Sequence, residues 1–218
     1  MKKSRAETAE TRRRIVETAA RTFTSNGIHA TGVAEIMSAA GLTQGGFYRH
    51  FASKDQLVAE ACAAGMSAIV CSVEAAAQEG NDRFLKHFES YLMEGNRDDF
   101  LGACPLVATG SELARADMDT RRAASHGLRE IISIMAGHNG TASEALAEGR
   151  AIFAFSAMVG AVTLSRIVDD AALADAILDE TRRRLNYLLN GSCDVEHTCR
   201  VPKSDWDERQ AESLQDTQ

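Results

Sequence analysis

Two prolines in 218 residues, Pro105 and Pro202, leave little to interrupt a helix. Aromatic residues are sparse at 6%. The longest uncharged run, residues 151–165, is fifteen residues long, short of the roughly 20 that cross a bilayer as a helix. The five cysteines, Cys62, Cys71, Cys104, Cys193 and Cys199, are an odd set, which excludes a complete disulfide framework. Cys62 and Cys71 lie nine residues apart on one expected helix, a rise of about 13.5 Å that no disulfide bridges.

Motifs that carry catalysis are missing as well. There is no phosphate-binding glycine loop, no dinucleotide fingerprint and no nucleophile elbow. Ser111 and Glu112 stand near Cys104 in sequence without an ordered triad, so no catalytic residue is assigned and no cofactor is expected. Cys193, His197 and Cys199 do not follow a zinc-site spacing and lack a fourth ligand nearby, so no metal site is assigned. The basic N-terminus is not followed by the apolar stretch of a secretory signal. These readings favour a cytoplasmic protein with no membrane partner.

What is present is concentrated in residues 31–54, TGVAEIMSAAGLTQGGFYRHFASK. Val33, Ile36, Met37 and Ala40 recur at helical spacing and form one apolar face. Thr31 or Gly32 can cap that helix, and Gly41 permits the left-handed turn that ends it. Thr43 can cap a second short helix over residues 44–50. Gly45 and Gly46 near its start cost helix propensity but leave a bare surface for close approach to bases. Phe47 is expected in the core and Phe51 closes the unit. Ser53 and Gln56 form a capping box for a helix beginning near Lys54. Two short helices joined by a tight turn, ending in a basic and aromatic cluster, are a DNA-reading arrangement.

Charge supports that reading. Residues 1–54 hold nine Lys or Arg and four Asp or Glu, a formal +5, while the whole chain is −7. The basic end would face DNA and the acidic remainder would stay away from it.

Residues 8–60, with ETRRRIVETAARTFTSNGIHATGVAEIMSAAGLTQGGFYRHFASKDQLV at their centre, resemble the DNA-binding domain of the TetR/AcrR family of bacterial transcriptional regulators. Ile15, Ala19 and Phe23, the helix-ending Gly27, Thr31, the Gly41-Leu42-Thr43 turn, Tyr48-Arg49-His50-Phe51 and Lys54 occur in the family's order. The resemblance covers about a quarter of the chain. It implies a homodimeric repressor with an all-helical ligand-binding and dimerisation body. By the family pattern Thr31, Thr43, Tyr48, His50 and Lys54 would hold phosphates, and Gln44, Gly45 and Arg49 would face bases.

The expected fold is therefore all-α. A helix-turn-helix domain over residues 8–53 precedes a helical ligand-binding and dimerisation domain over 54–190 and a flexible tail over 191–218. In the body, helices are expected over 54–78, near 84–92, 105–114, 118–136, 142–168 and 170–190. Apolar residues encircle the middle of the 142–168 helix, so one face can pack internally and another can meet a partner. Phe155 and Val159 are the residues expected to face that partner. Phe88, Leu92, Leu106, Leu128, Ile132, Met135, Phe155 and Met158 are the apolar ligand-site candidates, with Tyr91, Glu112, His126 or Arg129 as polar anchors. Cys104 is either a buried structural thiol or a redox sensor. The function expected is a ligand-responsive repressor that binds double-stranded operator DNA and a small-molecule effector. A constitutive or activating regulator, and a small-molecule-binding protein without DNA activity, are the alternatives.

Overall fold

The computed structural model describes residues 4–93, 104–138 and 143–189. The expected tail over 191–218, with Cys193, His197, Cys199 and Trp206, lies outside them. All regular structure among the described residues is helical.

Helix α1 spans Arg5–Asn26. It begins earlier than the expected residue 8, because Ser4 and Glu7 form a capping box that carries the helix back to Arg5. It stops at Gly27, whose φ of +87° suits a residue without a Cβ. Helix α2 (Val33–Ala39) buries Ile36 and Met37. It turns out at Gly41, φ +69°, where the Leu42 N–H returns to the Met37 carbonyl at 2.8 Å. The following segment, Gln44–Arg49, is a 3-10 helix where the sequence suggested an α-helix over 44–50. Six residues containing two glycines supply too little propensity to hold an α-helix.

Helix α3 (Lys54–Gln78) is capped by Ser53. It is followed by α4 (Asn81–Met93), then the single turns α5 (Pro105–Ala108) and α6 (Gly110–Leu113). The single helix expected over 105–114 is thus broken at Thr109, where φ is −129°. Helices α7 (Met118–His138), α8 (Glu144–Ile167) and α9 (Ala171–Leu189) complete the body. Ser143 occupies the N-cap of α8.

One continuous core joins these elements. Ile15, Phe23, Ile36, Phe47 and Phe51 from the first segments meet Leu57, Met66, Phe84, Ile131, Met135, Phe155 and Met158. Phe47 is fully buried, as its place on the short helix predicts, and burying such a ring contributes about 1.5–3 kcal/mol. The most extensive helix pairing is α3 with α7. It depends on Gly127, where a Cβ would stand 2.5 Å from the Met66 Cβ. Helices α3 and α8 are each long and apolar enough to cross a membrane by length and composition. Both contribute a row of side chains to the shared core, including Met66 and Val73 from one and Phe155 and Met158 from the other.

Candidate nucleic-acid interface and effector cavity

The short 3-10 helix divides its side chains cleanly. Phe47 turns inward and stacks near Phe51, ring centroids 5.5 Å apart. Thr43, Gln44, Gly45, Tyr48 and Arg49 are exposed. Tyr48 is 76% exposed, and its ring meets Phe47 edge-on at 5.2 Å, which fixes the direction in which its hydroxyl projects. Arg49 makes no ion pair among the described residues. His50 is half-buried at the C-terminal end of the same helix.

Two residues assigned to phosphates are placed differently from the rest. Thr31 is fully buried and donates its hydroxyl to the Gly27 carbonyl at 2.7 Å. Its side chain shapes the α1–α2 loop and cannot reach a ligand from there, which corrects the outward role expected of it. It does not cap α2 either; Gly32 holds that position. Lys54 donates its Nζ to the Ile28 carbonyl at 2.6 Å, tying the start of α3 to that same loop.

Two arginines of α1, Arg12 and Arg13, are similarly committed. Arg12 makes a bidentate pair with Glu60 and its guanidinium lies 4.5 Å from the centroid of the Phe51 ring. The Glu60 partner holds the Arg12 guanidinium above its ordinary range. Arg13 pairs with Glu10 and Glu17 on its own helix. The Arg13 pairs follow from i,i+3 and i,i+4 spacing on one helix, whereas the Arg12–Glu60 pair joins residues 48 apart and has no local signal.

A second connection ties this N-terminal unit to the body. Glu112 on α6 accepts the Ile28 N–H at 2.9 Å and the His29 N–H at 2.7 Å. Its carboxylate also meets the His29 Nδ1 at 2.7 Å. Burial works to raise the Glu112 carboxyl, but the donors from His29 and Ile28 outweigh it and leave it below its usual range. The loop 27–31 is therefore held from α3 by Lys54 and from α6 by Glu112. Glu112 is not a ligand anchor in this arrangement. Only its separation in sequence hid the contact.

Beside this connection lies a predominantly apolar cavity of about 230 Å³. Glu17, Ala20, Arg21 and Thr24 of α1 form one wall, and Ala64, Gly65, Ala68, Ile69 and Val73 of α3 another. His87, Phe88 and Tyr91 of α4, with Cys104 and Phe155, close it. Of the apolar ligand-site candidates, the cavity includes Phe88 and Phe155. Met135 and Met158 are core residues with no exposed surface, while Leu106, Leu128 and Ile132 pack against the core as half-buried side chains. Leu92 lines a shallow depression between α4 and α9. Tyr91 lines the cavity, but His126 and Arg129 are exposed on α7 away from it. Sequence periodicity marked these residues as apolar and inward; it had no means of separating core from cavity wall. The α1 contribution was missed because nothing local in α1 distinguishes a residue facing solvent from one facing α4.

Cys104 is buried at the N-cap of α5. Cys62 is also buried, and burial followed by the neighbouring Cys104 pushes its thiol up to about 11. Among the described residues no group of three His, Cys, Asp or Glu is placed to hold a metal ion.

The model of bacterial regulatory proteins of the tetR family matches residues 15–61. The AcrR transcriptional regulator of Shigella flexneri is 41% identical over 59 residues, 27% of each chain. The chain thus spans about a quarter of the length of the curated relatives it matches. A TetR transcriptional regulator from Chloroflexus aurantiacus superposes with a TM-score of 0.69 at 26% identity, covering 84% of this chain and 96% of that one. The reduced form of NemR from Escherichia coli gives 0.69 at 19% identity, covering 81% and 95%, a likeness of fold alone. The matching segment is the one that presents Gln44, Tyr48 and Arg49, and the likeness of architecture runs through the body. Residues 15–61 thus carry the DNA-binding segment of the tetR family of bacterial regulatory proteins, on an all-helical architecture like that of TetR regulators.

Proposed function

We propose that the protein is a ligand-responsive repressor that binds operator DNA as a homodimer in the cytoplasm. The observation that carries this reading is the cavity wall shared between α1 and the body. A molecule bound there touches the DNA-reading unit through Ala20, Arg21 and Thr24. It also touches Cys104, which begins the α5–α6 segment bearing Glu112. Any preference of the ligand for one arrangement of α1 against α4 then biases the loop 27–31 and, through it, α2 and the 3-10 helix.

In this reading Thr43, Tyr48, His50 and Lys54 engage phosphates, with Lys54 exchanging its Ile28 partner for one. Gln44, Gly45 and Arg49 approach base edges in the major groove. The N-terminal unit over 8–53 reads DNA and the body over 54–190 binds effector and partner.

Dimerisation is supported by a stripe along α8. Leu146, Phe153, Leu164 and Ile167 are all half or more exposed and fall within one narrow sector of the helix. Gly149 and Gly160 lie in the same sector with nothing near their missing Cβ. Large apolar groups flanking small ones suit close packing against a second copy. Phe155, expected to face a partner, is instead buried against the body.

The test is anisotropy of a labelled operator fragment, recovered by selection from genomic DNA, titrated with the protein before and after adding metabolite pools. Specific binding that an added fraction weakens supports the reading. Specific binding that no fraction alters favours a constitutive regulator, and transcription in vitro that rises with the protein identifies an activator.

A further inference from the structure

Residues 50–53 carry the chain from the end of the 3-10 helix to the start of α3, and a network centred on Glu60 holds them. A helix end leaves carbonyls without a partner within the helix. Arg12 of α1 donates its Nε–H to one of them, the His50 carbonyl, at 3.3 Å. Its two terminal nitrogens both go to the Glu60 carboxylate of α3, and its guanidinium carbon lies over the Phe51 ring. The same carboxylate accepts a hydrogen from the Gln56 Nε2 at 3.1 Å. The Gln56 Oε1 in turn accepts the Ala52 N–H at 2.7 Å, and Ser53 caps α3. Glu60 therefore holds the turn at two points, His50 through Arg12 and Ala52 through Gln56.

This arrangement separates two roles for Arg12. Paired with a carboxylate through two nitrogens, it offers little net charge to a phosphate. Its planar fork satisfies Glu60 while the third nitrogen reaches a carbonyl, a division of donors that the point charge of a lysine does not reproduce. Tyr48 and Arg49 immediately precede His50, so a displacement of the His50 carbonyl re-aims both. A hydrogen bond to a base edge is lost with a small error of distance or angle, whereas attraction to phosphates persists over a longer range.

We infer that Arg12 and Glu60 are positioning residues for sequence reading: they touch neither base nor phosphate, and they fix the turn 50–53 so that Tyr48 and Arg49 meet the duplex correctly aimed. The inference rests on the DNA-binding reading for its function, but the hold on the turn is measurable without DNA.

Full-length wild type, Arg12→Met and Glu60→Gln are compared by anisotropy on the selected operator and on a scrambled duplex of equal length, across a salt series. Circular dichroism confirms folding, and stoichiometric titration gives the active fraction. Arg12→Met should lose about tenfold in operator affinity, the scale of a charge-assisted hydrogen bond. Its affinity for the scrambled duplex and its salt slope should stay close to those of wild type. Glu60→Gln removes a negative charge, which by itself would favour DNA; positioning predicts a severalfold loss on the operator instead, on the same scale. A salt slope for Arg12→Met lower by about 0.9, the mark of one lost phosphate contact, overturns the inference. So do equal losses on the two duplexes, unchanged operator affinity, or a gain by Glu60→Gln. Hydrogen exchange without DNA is the second arm. The amides of residues 47–53 should exchange faster in both variants while those of α9 keep wild-type rates, and unchanged exchange at 47–53 also overturns the inference. If Arg12→Met does not fold, Glu60→Gln decides. A wild type with no preference for the operator refutes the DNA-binding reading, and the exchange rates then still decide whether the pair holds the turn.

Discussion

The Glu112 carboxylate accepts the backbone N–H of His29 at 2.7 Å across 83 residues of sequence. With its second bond to the Ile28 N–H, it makes the first loop of the DNA-reading unit depend on a single turn of the body. Glu112→Ala should remove that dependence and cost about 1–2 kcal/mol, reflecting charge-assisted bonds in a partly solvated setting. The folded-state carboxyl lies below its usual range. Its stabilisation is therefore fully present above the unfolded value and lost as pH falls through the depressed folded one. Urea melts from pH 7 down to acid check this. Wild type should lose its advantage over Glu112→Ala in the acid range, and parallel curves at every pH would reject the ionic role.

Tyr48 and Arg49 are adjacent and both exposed, yet they should fail differently. Tyr48→Phe should weaken binding to specific and non-specific duplex alike by severalfold, because a phosphate contact carries no sequence information. Arg49→Ala should cost about 1–3 kcal/mol of discrimination at one base pair. Anisotropy across a salt series separates the two. An Arg49→Ala protein of unchanged specificity would remove its assignment to a base edge.

Gly127 and Gly137 lie on the same helix and predict opposite outcomes for alanine. At Gly127 the new Cβ meets the Met66 Cβ at 2.5 Å, an atom fixed to the α3 backbone that cannot swing aside. Overpacking of about 1–3 kcal/mol outweighs the gain of about 1 kcal/mol in helix propensity. At Gly137 nothing lies within 4 Å, so alanine should stabilise by a few tenths to about 1 kcal/mol. Chemical denaturation of the two variants measures both signs.

Phe153→Glu combined with Leu164→Glu should yield a folded monomer. Both side chains are more than half exposed in the single chain, so a charge there costs the protomer little and a dimer much. Light scattering at micromolar protein gives the mass. A wild-type monomer would dismiss the dimer, and a dimeric double variant would move the interface off this stripe.

Cysteine labelling under native conditions should follow burial. Cys71 is exposed, whereas Cys62 and Cys104 are buried, so mass spectrometry should find Cys71 modified well before either. If Cys104 were a redox trigger, oxidant would release DNA from wild type and not from Cys104→Ser. Equal release by the two proteins would leave reversible ligand binding as the switch.

The sequence alone determined the helices and the DNA-reading segment, because both are written in local chemistry. Gly41 ends α2, Ser53 caps α3, and Phe47 alternates inward against outward Tyr48 and Arg49, all within a few residues of one another. It missed the Ser4–Glu7 capping box that starts α1 at Arg5, and it misjudged two places where local forces were weak or divided: the glycine-bearing helix at 44–49 tightened to 3-10, and the 105–114 helix broke at Thr109. Tertiary structure decided everything that depends on distant partners. Thr31 was drawn inward by Gly27, Arg12 was claimed by Glu60, and Glu112 became a clasp on the loop at His29. The cavity belongs to this second class. An inward apolar residue reads the same in sequence whether it fills the core, like Met158, or faces empty space, like Phe88. Only the packing of α1 against α3, with α4 set across from them, left room beside Tyr91.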